Sequence, residues 1–162
     1  MQVYTLQGDA TITSAGGDTT IWEIDPAADK PVTLLGYSFD VTSETGEAQE
    51  EWLRMMVIRY TGGTFTSSNG TATTARPVEL INADAFGGAA EFNGTTIASS
   101  SGTAHNLASF GVPVRGGYGP VFFPPEYRFK CQGVANEAMV INMLNTLADD
   151  ITLTSTLWIG EG

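Results

Sequence analysis

Ile151-Thr152-Leu153-Thr154-Ser155-Thr156-Leu157-Trp158-Ile159 sets Ile151, Leu153, Leu157 and Ile159 on one side and Thr152, Thr154, Thr156 and Trp158 on the other. Successive side chains of a β-strand point to opposite faces, so one face of this segment meets a core and the other faces outward. Thr33 to Thr42 has the same pattern, with Leu35, Tyr37, Phe39 and Val41 opposite Gly36, Ser38, Asp40 and Thr42. Ala138 to Asn145 carries Met139, Ile141 and Met143 on one side and Val140, Asn142 and Leu144 on the other. Leu147-Ala148-Asp149-Asp150 then reads as a turn, so residues 138–159 read as a β-hairpin. Further strands are expected at 2–7, 10–14, 18–24, 78–82, 106–114 and 127–132, for about nine or ten in all.

Glu47 to Arg59 reads two ways. Trp52, Met55, Met56 and Arg59 fall at helical spacing, while Leu53, Met55 and Val57 alternate with Arg54, Met56 and Ile58. The β-branched residues near its end and Gly62-Gly63 after it favour a strand from about 51 to 60. That strand is expected to pair with 33–42 across the acidic loop Glu44-Thr45-Gly46-Glu47.

The composition agrees with a β protein. There are 21 Thr, 10 Ser and 19 Gly in 162 residues, a mixture poor for helices and suited to strands and turns. The length fits a single domain over 1–162, and no repeat of 20–50 residues suggests a solenoid or propeller. The expected fold class is all-β, an antiparallel β-sandwich of jelly-roll type with long polar loops.

Charge narrows the function. Lys+Arg 7 against Asp+Glu 18 leaves −11, which argues against a surface for nucleic acid or for an anionic membrane, since both are bound by Lys and Arg. Met1-Gln2-Val3-Tyr4-Thr5 lacks the basic and apolar regions of a signal peptide, and no apolar run reaches a membrane span.

No chemistry stands out. The single histidine, His105, lies near Ser99-Ser100-Ser101, but no Gly-x-Ser-x-Gly elbow is present and the serines belong to a small-residue run. A lone strand cysteine such as Cys131 reads as a small core residue, and one thiol builds neither a disulfide nor a multi-thiolate zinc site. Asp149-Asp150 and the stretch Glu44, Glu47, Glu50, Glu51 do not have the spacing of a calcium loop. Asn69-Gly70-Thr71 and Asn93-Gly94-Thr95 match glycosylation sequons and are read as Asn-Gly turns. No catalytic, cofactor or metal residue is therefore assigned.

The segment that does stand out is Val112-Pro113-Val114-Arg115-Gly116-Gly117-Tyr118-Gly119-Pro120-Val121-Phe122-Phe123-Pro124-Pro125-Glu126-Tyr127. Stiffened by proline and rich in aromatics, it reads either as a plug closing the sandwich or as an anchor for another chain. Trp22 and Trp158 read as outward-facing tryptophans that need something to cover them. The expected interface residues are Trp22, Arg115, Tyr118, Phe122, Phe123 and Trp158.

Several stretches carry a resemblance. They are Leu34-Leu35-Gly36-Tyr37-Ser38-Phe39-Asp40, Ala48-Gln49-Glu50-Glu51-Trp52-Leu53-Arg54, Ile58-Arg59, and Asn69-Gly70-Thr71-Ala72-Thr73-Thr74-Ala75-Arg76-Pro77. Asn93-Gly94-Thr95-Thr96-Ile97-Ala98 and Ala148-Asp149-Asp150-Ile151-Thr152-Leu153-Thr154-Ser155-Thr156-Leu157 complete the set. Over roughly 34–159 the chain resembles small virion proteins of tailed double-stranded DNA bacteriophages that decorate or cement the capsid. The resemblance implies a non-enzymatic β-rich module that assembles as a homotrimer on the outside of a shell of major capsid protein. An acidic chain suits that outer surface better than one facing packaged DNA. Two other readings stay open: a tail, head-completion or receptor-contacting part of the virion, and a carbohydrate-binding sandwich using Trp22, Trp158 or Tyr118 as a platform.

Overall fold

The structure, a computed structural model, describes residues 1–43, 50–79 and 84–162. Its strands are β1 (Gln2–Ile12), β2 (Thr19–Asp25), β3 (Val32–Val41), β4 (Trp52–Thr61), β5 (Phe65–Thr66), β6 (Thr71–Ala72) and β7 (Arg76–Pro77). They continue as β8 (Ala89–Phe92), β9 (Ser99–Ser100), β10 (Thr103–Pro113), β11 (Gly117–Phe122), β12 (Phe129–Cys131), β13 (Ala138–Met143) and β14 (Ile151–Glu161). Two short 3-10 turns, Ser14–Gly16 and Pro125–Tyr127, are the only helical pieces among the described residues. The chain is an all-β antiparallel sandwich.

One sheet runs in the order β11-β3-β14-β1-β7, with β12 also on β3; the other runs β10-β4-β13-β2-β8-β6. β5 and β9 form a separate two-stranded ribbon. The connections β1–β2, β3–β4, β10–β11 and β13–β14 each cross from one sheet to the other. Two sequence expectations fail on this account. β13 and β14 are not a hairpin: β13 pairs with β2 and β4, and β14 with β1 and β3. Nor does 51–60 pair with 33–42, because β4 lies between β10 and β13 in the other sheet. The reason is burial. A two-stranded hairpin would leave the apolar faces of Met139 and Leu153 uncovered, whereas opposite sheets press them into one core.

Residues 51–60 are a strand and not a helix, as their β-branched half suggests. Segments 2–7 and 10–14 merge into β1, which pairs with β14 over its whole length. The expected strand at 78–82 is absent where it is described: Arg76–Pro77 pairs with β1, and Val78 and Glu79 form a bend. Its remainder, 80–82, and the loop Glu44-Thr45-Gly46-Glu47 lie outside the described residues. In place of one strand at 127–132, Pro125–Tyr127 makes a 3-10 turn before β12.

The main core gathers Tyr4, Leu6, Trp22, Leu34, Phe39, Met55, Val57, Met139, Ile141 and Leu157 from both sheets. A bulge shifts the expected faces in β3. Pairing passes from Trp158↔Gly36 to Ile159↔Leu34, so Leu35 is the extra residue and Leu34 takes the core position. The two sheets differ on their outer sides. β13 is buried at every residue, because Ile58, Tyr60, Ala98 and Val140 form a second small core under Phe65 and Met56. Tyr60 Oη donates to Ala98 O at 3.1 Å, and Ala98 N donates to Thr20 Oγ1 at 2.8 Å, holding the loops onto this sheet. β14 instead alternates buried and half-exposed residues over most of its length. The first sheet keeps its outer face open.

Candidate functional site

On that open face, register brings Phe122, Gly36, Trp158, Thr5 and Arg76 into one row across β11, β3, β14, β1 and β7. Gly36 makes the row possible. A Cβ there would meet Val121 O at 2.5 Å and Phe122 Cδ1 at 2.7 Å, so only glycine lets the Phe122 ring lie over β3. Phe122 consequently reaches Trp158, with ring centroids 4.8 Å apart and planes at 55°, a tilted arrangement favoured by aromatic quadrupoles. Phe122 is nonetheless 57% exposed. Tyr127, in the turn that follows, is 71% exposed.

The rest of the aromatic segment turns inward. Tyr118 stacks on Phe110 at 5.5 Å and on Tyr37 at 6.0 Å, and Tyr37 stacks on Phe110 at 4.5 Å. Phe123 packs edge-on against Tyr37 and Phe129. These rings, contributed by β3, β10, β11 and their neighbours, close one side of the sandwich. The plug and the exposed aromatic therefore coexist, with Tyr118, Val121 and Phe123 packed on the core and Phe122 outside. Arg115 is exposed in the turn before β11, at the opposite end of that strand from Phe122.

Trp22 corrects the sequence reading. It is fully buried and belongs to the main core, so its side chain cannot meet a partner. A bulge between the pairs Ile141↔Trp22 and Asn142↔Thr20 leaves Ile21 as an extra residue, and both Ile21 and Trp22 enter the core. A sugar platform built on Trp22 is excluded by the same burial, and Tyr118 has its face occupied by Phe110. Of the three platform aromatics, Trp158 alone stands on the open face.

Sequence reasoning missed Trp52. It is 56% exposed on β4, opposite Pro113, and its ring covers Gly111 of β10, where a Cβ would meet it at 2.8 Å. The signal was present in the strand reading of 51–60, which puts Trp52 on the side of Arg54 and away from Leu53.

His105, Cys131, Asn69, Asn93 and Asp150 sit in structural settings. His105 Nε2 and Thr61 Oγ1 share a hydrogen bond of 2.9 Å. Cys131 is fully buried, and burial, followed by the neighbouring Glu137, pushes its thiol well above the ordinary range. Asn69 and Asn93 have φ of 52° and 56°, the left-handed conformation of Asn-Gly turns. Asp150 Oδ1 accepts hydrogen bonds from Ser14 N at 2.8 Å and Ser14 Oγ at 3.0 Å, which holds its carboxyl below the usual range.

One acidic cluster is unusual. Glu23 on β2 accepts a 2.7 Å bond from Ser68 N, and Glu91 on β8 accepts one of 2.8 Å from Gly70 N, so the two carboxylates hold down the 67–70 loop. Burial, then Glu23 and Glu91, pushes Asp25 up to about 7. Glu23 Oε1 is buried with no hydrogen-bond partner. Among the described residues no group of three or more His, Cys, Asp or Glu side chains is arranged to hold a metal ion. A cleft of about 340 Å³ between β1 and β6 is lined by Gln7, Asp9, Thr71, Thr73, Arg76 and Phe92, with Asp9 its one carboxylate.

Compared with protein-family profiles, curated proteins and solved structures, the chain finds no match.

Proposed function

We propose that this protein is a non-enzymatic structural component of a virion, a decoration protein that binds the outer surface of a capsid and stabilises it. The observation that carries the reading is the exposed Phe122 ring packed on the half-buried Trp158, in a row continued by Thr5 and Arg76. Aromatic and arginine anchors dominate interface energies because they combine large apolar area with few rotatable bonds. Cementing needs nothing more than such contacts repeated at many equivalent places, each favouring the assembled shell by mass action. The net charge of −11 suits a surface that faces solvent. The sandwich itself supports a jelly-roll reading, since its eight long strands form the halves β11-β3-β14-β1 and β10-β4-β13-β2.

Cosedimentation with purified empty shells tests the proposal. Wild-type protein is expected to pellet with shells and to raise their heat-dissociation temperature; failure to pellet with any shell from its source phage overturns it.

A further inference from the structure

The four ends of the two large sheets are treated very differently. β6 and β7 are two residues each, and β11 is interrupted by Pro120, which lacks an N–H, and by a register shift after Tyr118. β10 is the exception. It is 11 residues long, ends its sheet, and pairs with β4 alone. Among the described residues no backbone hydrogen bond leaves Thr103–Val112 on the other side. An antiparallel edge strand presents its unused N–H and C=O groups in a row, ready for another strand.

Proteins usually guard such an edge with charge or proline. Thr103-Ala104-His105-Asn106-Leu107-Ala108-Ser109-Phe110-Gly111-Val112-Pro113 contains no Asp, Glu, Lys or Arg, and its one proline is the last residue. A bulge at Leu107 is the only irregularity, and it leaves pairing segments on either side. The exposed side chains Ala104, Asn106 and Ser109 are small, so a second strand can approach closely.

We propose that the open edge of β10 is completed by β10 of a second copy of this chain, in an antiparallel two-fold pair. Two observations choose the second copy. Copies carrying −11 each repel wherever acidic surfaces meet, and β10 is a long neutral edge where that repulsion is least. Only another β10 matches its full length, because the end strands β6, β7 and β11 are six residues or fewer and the part of β1 that β7 leaves uncovered, Leu6–Ile12, is seven. A strand paired with itself antiparallel is self-complementary, which a two-fold interface requires. Trp52, one strand in from the edge and covering Gly111, adds exposed apolar surface beside the join. The pairing is independent of a capsid target, and it gives a dimer where the family resemblance implies a trimer.

Sedimentation velocity on the purified full chain, with the Asn106→Lys/Ser109→Lys double variant beside it, is the test. The wild type is expected at the mass of two chains and the variant at one, with far-ultraviolet spectra superimposable. Hydrogen exchange provides a second reading that needs no variant: amides of β10 should gain protection as wild-type concentration rises. A monomer at all concentrations, a trimer, a variant that stays dimeric, or β10 amides indifferent to concentration would each overturn the proposal.

Discussion

Trp22 Nε1 donates a 2.9 Å hydrogen bond to Ser155 Oγ, and this bond crosses the core from one sheet to the other. Ser155 Oγ in turn donates to Ser38 O at 3.0 Å, within its own sheet. Both side chains are buried, so neither has water as a substitute partner. The bond fixes the relative placement of the layers that non-directional apolar packing leaves adjustable.

Ser155→Ala should therefore cost more than a lost hydroxyl. The indole N–H would be left buried and unpaired, a penalty of about 1–3 kcal/mol. Urea unfolding should show a lower midpoint at an unchanged slope. A midpoint equal to that of the wild type would mean the inter-sheet bond contributes nothing.

Gly36→Ala should disturb the aromatic row from beneath. The new methyl would overlap Val121 O and Phe122 Cδ1, so β11 or the Phe122 ring must shift. Overpacking of this kind costs about 1–3 kcal/mol. A lower melting temperature and a changed near-ultraviolet spectrum from the Phe122–Trp158 pair are the expected readouts.

Phe122→Ser separates stability from binding. Because Phe122 is largely exposed, the folded state should lose at most about 1 kcal/mol, mainly its contact with Trp158. Affinity for capsid shells should fall about tenfold or more if this ring is an anchor. Equal binding by wild type and variant in a shell titration would remove the row from the interface.

Asp25 gives a signed pH dependence. Its carboxyl rises from 3.8 to about 7, so the folded chain keeps a proton that the unfolded chain has released. Its contribution to stability is greatest below the ordinary carboxylate range, declines as pH rises toward about 7, and is level above that. Asp150, held low by Ser14, acts with the opposite sign and loses its contribution as pH falls through the acid range. Thermal melts across pH should show a flatter profile between about 4 and 7 for Asp25→Asn than for the wild type. Parallel profiles would show that this carboxyl does not titrate as its surroundings dictate.

Much of the strand content could be read directly. Ile151 to Ile159 lies in its expected strand, and Leu153, Leu157 and Ile159 lie in the core. The segment holding Phe122 was legible as plug or anchor, but nothing in it separated the exposed Phe122 from the inward Tyr118 and Phe123. Trp22 was not, since a single bulged residue reverses which side of a strand faces in. Trp52 was passed over because its segment was weighed only for helix against strand.

What the sequence determines alone is local: period-two alternation makes strands, and Asn-Gly pairs make left-handed turns. Each strand's alternation identifies an apolar face without identifying the strand beside it, because backbone hydrogen bonds are alike for every partner. Pairing was decided by tertiary structure. Placing β13 and β14 in opposite sheets sets their apolar faces toward each other across one core. The same long-range packing covered β13 on both faces, left the first sheet open at Phe122 and Trp158, and left β10 at an edge.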